Sequence, residues 1–155
     1  DPDPKALACY GLLVSCPADP AWCEQVWVRF VDGRPVSDIT TQFLAWCCEH
    51  LTQAGKRVFV LIWDNASWHL SYAVRDWIRA HNREVKRTGQ GVRILVCYLP
   101  VKSPWLNRME PRWVHAKKRV AEPEGGLKAH ELAERVCEHF GCAHEAHLSI
   151  SKNVS

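Results

Sequence analysis

Long apolar runs are missing from this sequence of 155 residues. No uncharged apolar stretch approaches the roughly 18 residues that a transmembrane helix requires. The opening residues, Asp1-Pro2-Asp3-Pro4, include neither the basic start nor the apolar stretch of a secretory signal peptide. Internal repeats and low-complexity tracts are also lacking, which argues against a repeat architecture. We therefore expect a cytoplasmic protein that has no membrane partner.

A strong excess of one charge is lacking as well. The chain has 20 Lys and Arg against 17 Asp and Glu, and a net charge of +3 is too small to indicate a polyanion partner by itself. The basic side chains are nevertheless concentrated between Arg75 and Arg119, where acids are few. Disorder is excluded as the main interpretation, because 47% of the residues are hydrophobic and eight are tryptophan. This length is typical of one globular domain.

The first part of the chain predicts a β-hairpin and a helix. Leu7–Val14 is an apolar run, and Gln25–Phe30 alternates with the period of two that is typical of a strand. Thr40 or Thr41 is suited to capping a helix, and Gly55 is suited to ending it in the left-handed conformation.

The middle of the chain predicts two strands separated by a helix. Val58–Trp63 is a continuous β-branched and aromatic run, which is typical of a parallel strand buried on both faces. Ser71 begins a helix that we expect to end near His81, where a basic, glycine-containing loop follows. Val92–Leu99 then predicts another buried strand.

Helices are predicted for most of the remainder. Asn107 and Glu110 have the spacing of a capping box at the start of a helix that ends near Ala121. A linker occupies residues 122–126, and a last amphipathic helix runs over His130–Phe140 before a loose tail. The alternation of strands and helices predicts an α/β fold.

Most of the eight cysteines lie in apolar runs, which predicts reduced, buried thiols rather than a disulfide framework. The exception is a C-x4-C-x-H-x2-H segment that places four side chains of zinc-ligating type close together. These side chains are Cys137, Cys142, His144 and His147. One hypothesis is a small zinc-stabilised structural domain, and the other is a helix end followed by surface histidines.

Two acids occupy places where a sheet presents ligands. Asp64 follows the apolar run Val58–Trp63, and Glu110 opens the helix after the next strand. Ligands bind at the carboxyl ends of the strands in open α/β sheets, and carboxylate oxygens suit hard divalent cations. The alternatives are a strand-end turn cap for Asp64 and a capping-box partner of Asn107 for Glu110.

Two segments around these acids resemble the catalytic motifs of mariner-like insertion-sequence transposases, in the DDE superfamily of endonucleases. The first is Asp64-Asn65-Ala66-Ser67-Trp68-His69, and the second is an L-P-x-x-S-P-x-L-N-x-x-E pattern from Leu99 to Glu110. The resemblance covers most of residues 6–121. It implies a ribonuclease-H-like mixed sheet flanked by helices, and the predicted order of elements is compatible with that fold.

The resemblance implies metal-dependent phosphoryl transfer on DNA, in which a strand is cleaved and its freed 3′ hydroxyl attacks target DNA. Asp64 is then the second acid and Glu110 the third, each a ligand of Mg²⁺ or Mn²⁺. Asn65, His69 and Asn107 are candidates for supporting these ligands. The protein is expected in the prokaryotic cytoplasm, associated with the nucleoid.

The chain departs from the family at its start. The family's first acid lies on a first strand upstream of the hairpin, and none of Asp1, Asp3 and Asp32 occupies that position. We therefore expect a catalytic core over residues 1–122 that is truncated at its amino terminus, with a C-terminal helix and tail of the same domain over 123–155. We also expect the isolated chain to be inactive. A catalytically inactive relic that binds DNA or another partner is the alternative.

The absence of a first strand has a physical consequence. It leaves strand edges unpaired, and unpaired edges promote pairing between chains. We therefore expect self-association, which sedimentation at high concentration measures.

Contact with DNA is expected from the basic residues of the second motif and of the helix that follows it. These are Lys102, Arg108, Arg112, Lys117 and Lys118. The alternative is a solvated helix face. Trp68 and Trp105 are candidates for stacking on unpaired bases, whereas Trp63 is expected to pack in the core.

Overall fold

A computed structural model of the chain describes residues 8–34, 36–120 and 128–150, with the side chains of Trp68 and Pro104 left out. Its contacts divide the chain into two compact units. The hairpin unit comprises the described residues of Asp1–Arg34 and Arg108–Ser149. The parallel-strand unit comprises those of Pro35–Asn107 and Ile150–Ser155. No helix in the described ranges is long and apolar enough to span a membrane.

The hairpin unit contains the predicted antiparallel pair. Strand β1, Ala8–Val14, pairs with strand β2, Gln25–Val31. Helix α4, Met109–Val120, packs against β1, and helix α5, Ala129–Phe140, packs against β2. Leu148 lies beside the end of β2. Its N–H donates to the Phe30 carbonyl and its own carbonyl accepts from the Asp32 N–H, each at 2.8 Å. The hairpin and both helices are thus confirmed.

The packing of α4 on β1 depends on the small size of Gly11. A methyl group added at this position would overlap the Trp113 ring and lie 2.9 Å from the Met109 Cε atom. We expect Gly11→Ala to lower the free energy of unfolding by about 1–3 kcal/mol, because an indole cannot yield as a flexible chain end does. Urea denaturation measures this loss. Trp113→Leu should reduce the cost of the same glycine substitution, and an equal cost in both backgrounds would contradict the proposed overlap.

The parallel-strand unit pairs strand β3, Val58–Trp63, in parallel with strand β4, Arg93–Tyr98. Helices α1, Ser37–Gln53, α2, Ser67–Leu70, and α3, Tyr72–Thr88, complete the unit. The side chain of Asn82 fixes α3 to β4, since its amide donates to the Ile94 carbonyl at 2.9 Å and accepts from the Ile94 N–H at 2.8 Å.

Two predicted helix boundaries in this unit were wrong. α1 begins at Ser37, and the Thr40 hydroxyl donates back to the Val36 carbonyl instead of capping the helix. α3 does begin after Ser71, whose hydroxyl accepts from the Val74 N–H, but it continues to Thr88 where we expected a basic loop. Most residues from Asn82 to Thr88 are polar because that part of the helix is largely exposed, and the left-handed Gly89 ends it.

The prediction that β3 is buried on both faces was also wrong. Phe59, Leu61 and Trp63 are buried, whereas Val58, Val60 and Ile62 are exposed. The structure therefore covers one face of the strand. Among the described residues the strands form two separate two-stranded sheets, not one mixed sheet. The fold is mixed α/β, with small sheets flanked by helices.

Several predictions lie outside the described residues. These are the two acids of the opening segment, Asp1 and Asp3, the linker at 122–126 and the tail after residue 150. The predicted division at residue 122 also falls there and stays a prediction.

Candidate active site

Asp64 lies where two parallel strands end together. Trp63 of β3 is in register with Tyr98 of β4, and the Leu99 N–H donates to the Trp63 carbonyl at 2.8 Å. The Asp64 side chain follows directly and is 54% exposed. This is the edge of an α/β sheet at which ligands bind, so the predicted position of the acid at a strand end is confirmed.

The Asp64 carboxylate is held on one side only. Its Oδ1 atom accepts from the Ala66 N–H at 3.0 Å and lies 2.9 Å from the His69 Nδ1 atom. The His69 ring in turn stacks on the Trp63 ring, with centroids 4.2 Å apart and planes 8° apart. Among the residues that the structure describes, no hydrogen bond or ion pair reaches the Oδ2 atom of Asp64. One oxygen is therefore oriented, and the other is placed to accept a further partner.

The protonation state of His69 follows from its surroundings. Burial lowers the pKa of the imidazole below its ordinary value of 6.5, and the Asp64 carboxylate offsets only part of this effect. His69 is thus neutral at neutral pH. The Nδ1 atom also lies 3.3 Å from the Asp64 backbone carbonyl oxygen, which can only accept, so the ring hydrogen lies on Nδ1 and His69 donates.

The lowered pKa of His69 makes stability depend on pH. Below pH 6.5 the unfolded chain takes up the proton more readily than the folded chain, so the free energy of unfolding falls as the pH drops through the folded pKa. We expect wild type to lose more stability than His69→Asn between about pH 7.5 and pH 5, because asparagine keeps an N–H donor but does not titrate. Urea midpoints measure this. The control is His130→Asn, at an exposed position, which should lose as much stability as wild type. Equal losses in wild type and His69→Asn would contradict the lowered pKa of His69.

The other two polar candidates are Asn65, which follows Asp64 directly, and Asn107, which lies near the start of α4. The Asn65 amide donates to the Leu99 carbonyl at 2.8 Å, so this side chain fastens the turn after β3 to the end of β4. Asn107 is half-buried just before α4. The sequence missed one contributor, since Trp63 was expected only in the core and is also the surface on which His69 stacks.

Glu110 belongs to the hairpin unit, where it is the second residue of α4. Its side chain is exposed, and the described residues give its carboxylate no hydrogen bond or ion pair. A carboxylate in the first turn of a helix is favoured by the helix dipole. Because α4 begins at Met109, Glu110 is its second residue and not the third, which the expected capping box requires.

The basic residues expected to contact DNA are all exposed. In the parallel-strand unit, Lys102 has a φ of 59°, which is unusual for a residue other than glycine. In the hairpin unit, Arg108 and Arg112 share one acid, with Nη2 atoms 3.0 and 2.7 Å from the two Glu24 carboxylate oxygens. Lys117 and Lys118 lie further along α4.

Among the four expected zinc ligands, the two cysteines interact with each other and the two histidines contact each other. Burial raises the pKa of the Cys137 thiol to about 12, with a further contribution from the neighbouring Cys142 thiol. The His144 and His147 Nε2 atoms lie 3.0 Å apart, and the His147 Nδ1 atom lies 2.9 Å from an Asp32 carboxylate oxygen. Within the described ranges, no three His, Cys, Asp or Glu side chains are arranged to hold a metal ion.

An acid at the carboxyl end of a parallel strand pair, on an α/β scaffold, is an arrangement that suits binding of a divalent metal ion. Residues 24–129 match the family model described as DDE superfamily endonuclease. This match covers more than half of the chain, so the chain belongs to the DDE superfamily endonucleases. No curated protein and no solved structure shows a significant match.

Proposed function

We propose that the chain is the catalytic domain of a DNA transposase of the mariner-like insertion-sequence type. The observation that carries the proposal is the family match over residues 24–129, which includes both Asp64 and Glu110. The order β1-β2-α1-β3-α2-α3-β4-α4, in which α2 is a single short turn, supports a ribonuclease-H-like arrangement of the intact domain. The proposed reaction is cleavage of a DNA strand followed by transfer of its 3′ end to target DNA.

In this proposal Asp64 and Glu110 are ligands of Mg²⁺ or Mn²⁺. The residues fit such ions, because both carboxylates are exposed and neither has a cationic partner of the Lys or Arg type among the described residues. The bound ions supply activation of a water and stabilisation of the leaving oxygen. His69 fixes the carboxylate of Asp64 by donating from Nδ1, and the Trp63 ring fixes His69. These two side chains are positioning residues.

Strand cleavage by the isolated chain is expected to be below detection. Among the described residues, no three His, Cys, Asp or Glu side chains are grouped so as to hold a metal ion, and a site with too few oxygen ligands holds the ions weakly. Self-association likewise stays a prediction. It is supported by β3, which has a hydrogen-bonded neighbour on one side only in the described structure.

The test of the proposed DNA partner is binding to a short duplex without divalent ions at several salt concentrations. Binding through phosphates gives an affinity that falls steeply with salt, by about 0.9 logarithmic units per contact for each tenfold change. The double substitution Lys117→Ala and Lys118→Ala should weaken binding and flatten this slope. Lys86→Ala, an exposed lysine on α3, is the control. Absence of salt-dependent binding would count against a DNA-acting protein.

Glu24 restrains the two arginines that we expect at the DNA. Its carboxylate neutralises part of the charge of Arg108 and Arg112. We expect Glu24→Gln to raise duplex affinity several-fold and to steepen the salt dependence by up to about one contact, because both guanidinium groups then turn to phosphate. Fluorescence anisotropy measures this. Glu134→Gln removes an equal charge from an exposed position on α5. A gain of equal size in that variant would show only a general charge effect.

A further inference from the structure

The loop that follows β4 exposes an unusual amount of apolar surface. Val101 and Trp105 are each 74% exposed, and Leu106 is 48% exposed. The loop is nevertheless ordered locally, since the Leu106 N–H donates to the Ser103 carbonyl at 3.1 Å and Pro104–Leu106 forms a 3-10 turn. An exposed apolar patch on an ordered element is typical of a binding surface.

The loop begins at the same sheet edge as Asp64. β3 and β4 end in register, and the Asn65 amide holds the Leu99 carbonyl at the point where the chain leaves β4. All of these residues belong to the parallel-strand unit. The loop therefore starts at the sheet edge where the reacting group of a ligand bound at Asp64 would lie.

The chemistry of the loop suits a nucleotide. Lys102 supplies an exposed positive charge within three residues of the indole, and its left-handed φ of 59° makes a sharp turn there. A cation for the phosphate and an aromatic face for the base are the two parts of a single-strand binding element. The bases of an intact duplex are already stacked on one another, so an indole binds only an unpaired base by its face.

We propose that Trp105 stacks on an unpaired DNA base next to the strand held at Asp64, and that Lys102 contacts the adjoining phosphate. This inference rests on the proposed function and adds to it a preference for DNA that is single-stranded or frayed at the reacting position. The preference is a property of the loop and does not require a bound metal ion.

The test uses a short single strand containing the fluorescent base 2-aminopurine and a blunt duplex of the same sequence, both without divalent ions. Stacking on an aromatic side chain quenches this base. We expect Trp105→Ala to weaken single-strand binding by between about fivefold and about a hundredfold and to abolish the quenching, while duplex binding changes less than about twofold. Trp105→Phe should retain most of both signals. Lys102→Ala should weaken both DNA forms and reduce the salt slope by about one contact.

The control is Tyr72→Ala, which removes another highly exposed aromatic side chain, on α3. Single-strand affinity that is unchanged in Trp105→Ala, or equally reduced in Tyr72→Ala, would overturn the proposal. So would a Trp105→Ala variant that loses only self-association in sedimentation, because the loop would then be a contact between copies of the chain. If the wild type binds neither DNA form at low salt, the proposed function itself fails. If it binds duplex normally without quenching, only this inference fails.

Discussion

Asp64→Asn should lose Mn²⁺ binding almost completely, with a dissociation constant raised by more than about a hundredfold. Loss of a residue that only supports a ligand already costs about 10- to 100-fold in metal affinity, and Asp64 is proposed to be a ligand itself. Asparagine is nearly the same size and accepts the same N–H donors, so the turn at Ala66 should persist. The change removes the negative charge that a hard divalent cation requires.

Electron paramagnetic resonance of free Mn²⁺ measures this binding and does not depend on strand cleavage. Glu110→Gln should give a loss of similar size, since the proposal assigns both acids to the same ions. Glu49→Gln, at an exposed position on α1, is the matched control. Wild-type affinity in either of the first two variants would remove that acid from the metal site. Loss of affinity in the control would indicate non-specific binding.

His69→Asn separates a ligand from the residue that orients it. The variant keeps the Asp64 charge, so Mn²⁺ affinity should fall far less than in Asp64→Asn. A loss as large as that of Asp64→Asn would mean that the imidazole binds the ion directly. The stacking of His69 on Trp63 then would not be its main role.

The sequence predicted helix ends correctly wherever a single residue determines the local backbone conformation. Ser71 caps α3, and Gly55 after α1 has a φ of 78°, as expected at a helix end. Each of these predictions depends on hydrogen bonds or sterics within a few residues. The early end predicted for α3 failed because its last two turns are fastened to the rest of the unit by Asn82, and a polar sequence does not reveal such a distant contact.

The candidate site was predictable in part for the same reason. A strand-end acid is visible in the sequence, and so is His69 five residues later. The stack of His69 on Trp63 was not predicted, because it requires the turn of α2 to fold the chain back over the end of β3. The surroundings of the expected zinc ligands are similar. Spacing placed the four residues close in the chain, but the contact of His147 with Asp32 joins segments 115 residues apart, next to the pairing of Leu148 with Val31.

Leu61→Ala should lower the free energy of unfolding by about 2–5 kcal/mol, whereas Ile62→Ala should cost less than about 1 kcal/mol. The two side chains are isomers in neighbouring positions of β3. Leu61 is 2% exposed, and Ile62 is 58% exposed. Truncation of the Leu61 side chain leaves a cavity in the buried face of β3. Truncation of the exposed Ile62 side chain mainly lowers the strand propensity at that position.

This pair distinguishes the structure from the pattern of the sequence. A continuous apolar run predicts two buried faces and thus similar costs at both positions, whereas the structure predicts a large difference. Urea denaturation of both variants at one pH measures it. Equal and large losses would mean that the outer face of β3 is covered in solution, by a second copy of the chain or by another surface of the same chain. A repeat of the Ile62→Ala measurement at several protein concentrations decides between these, because only burial between copies makes the loss depend on concentration.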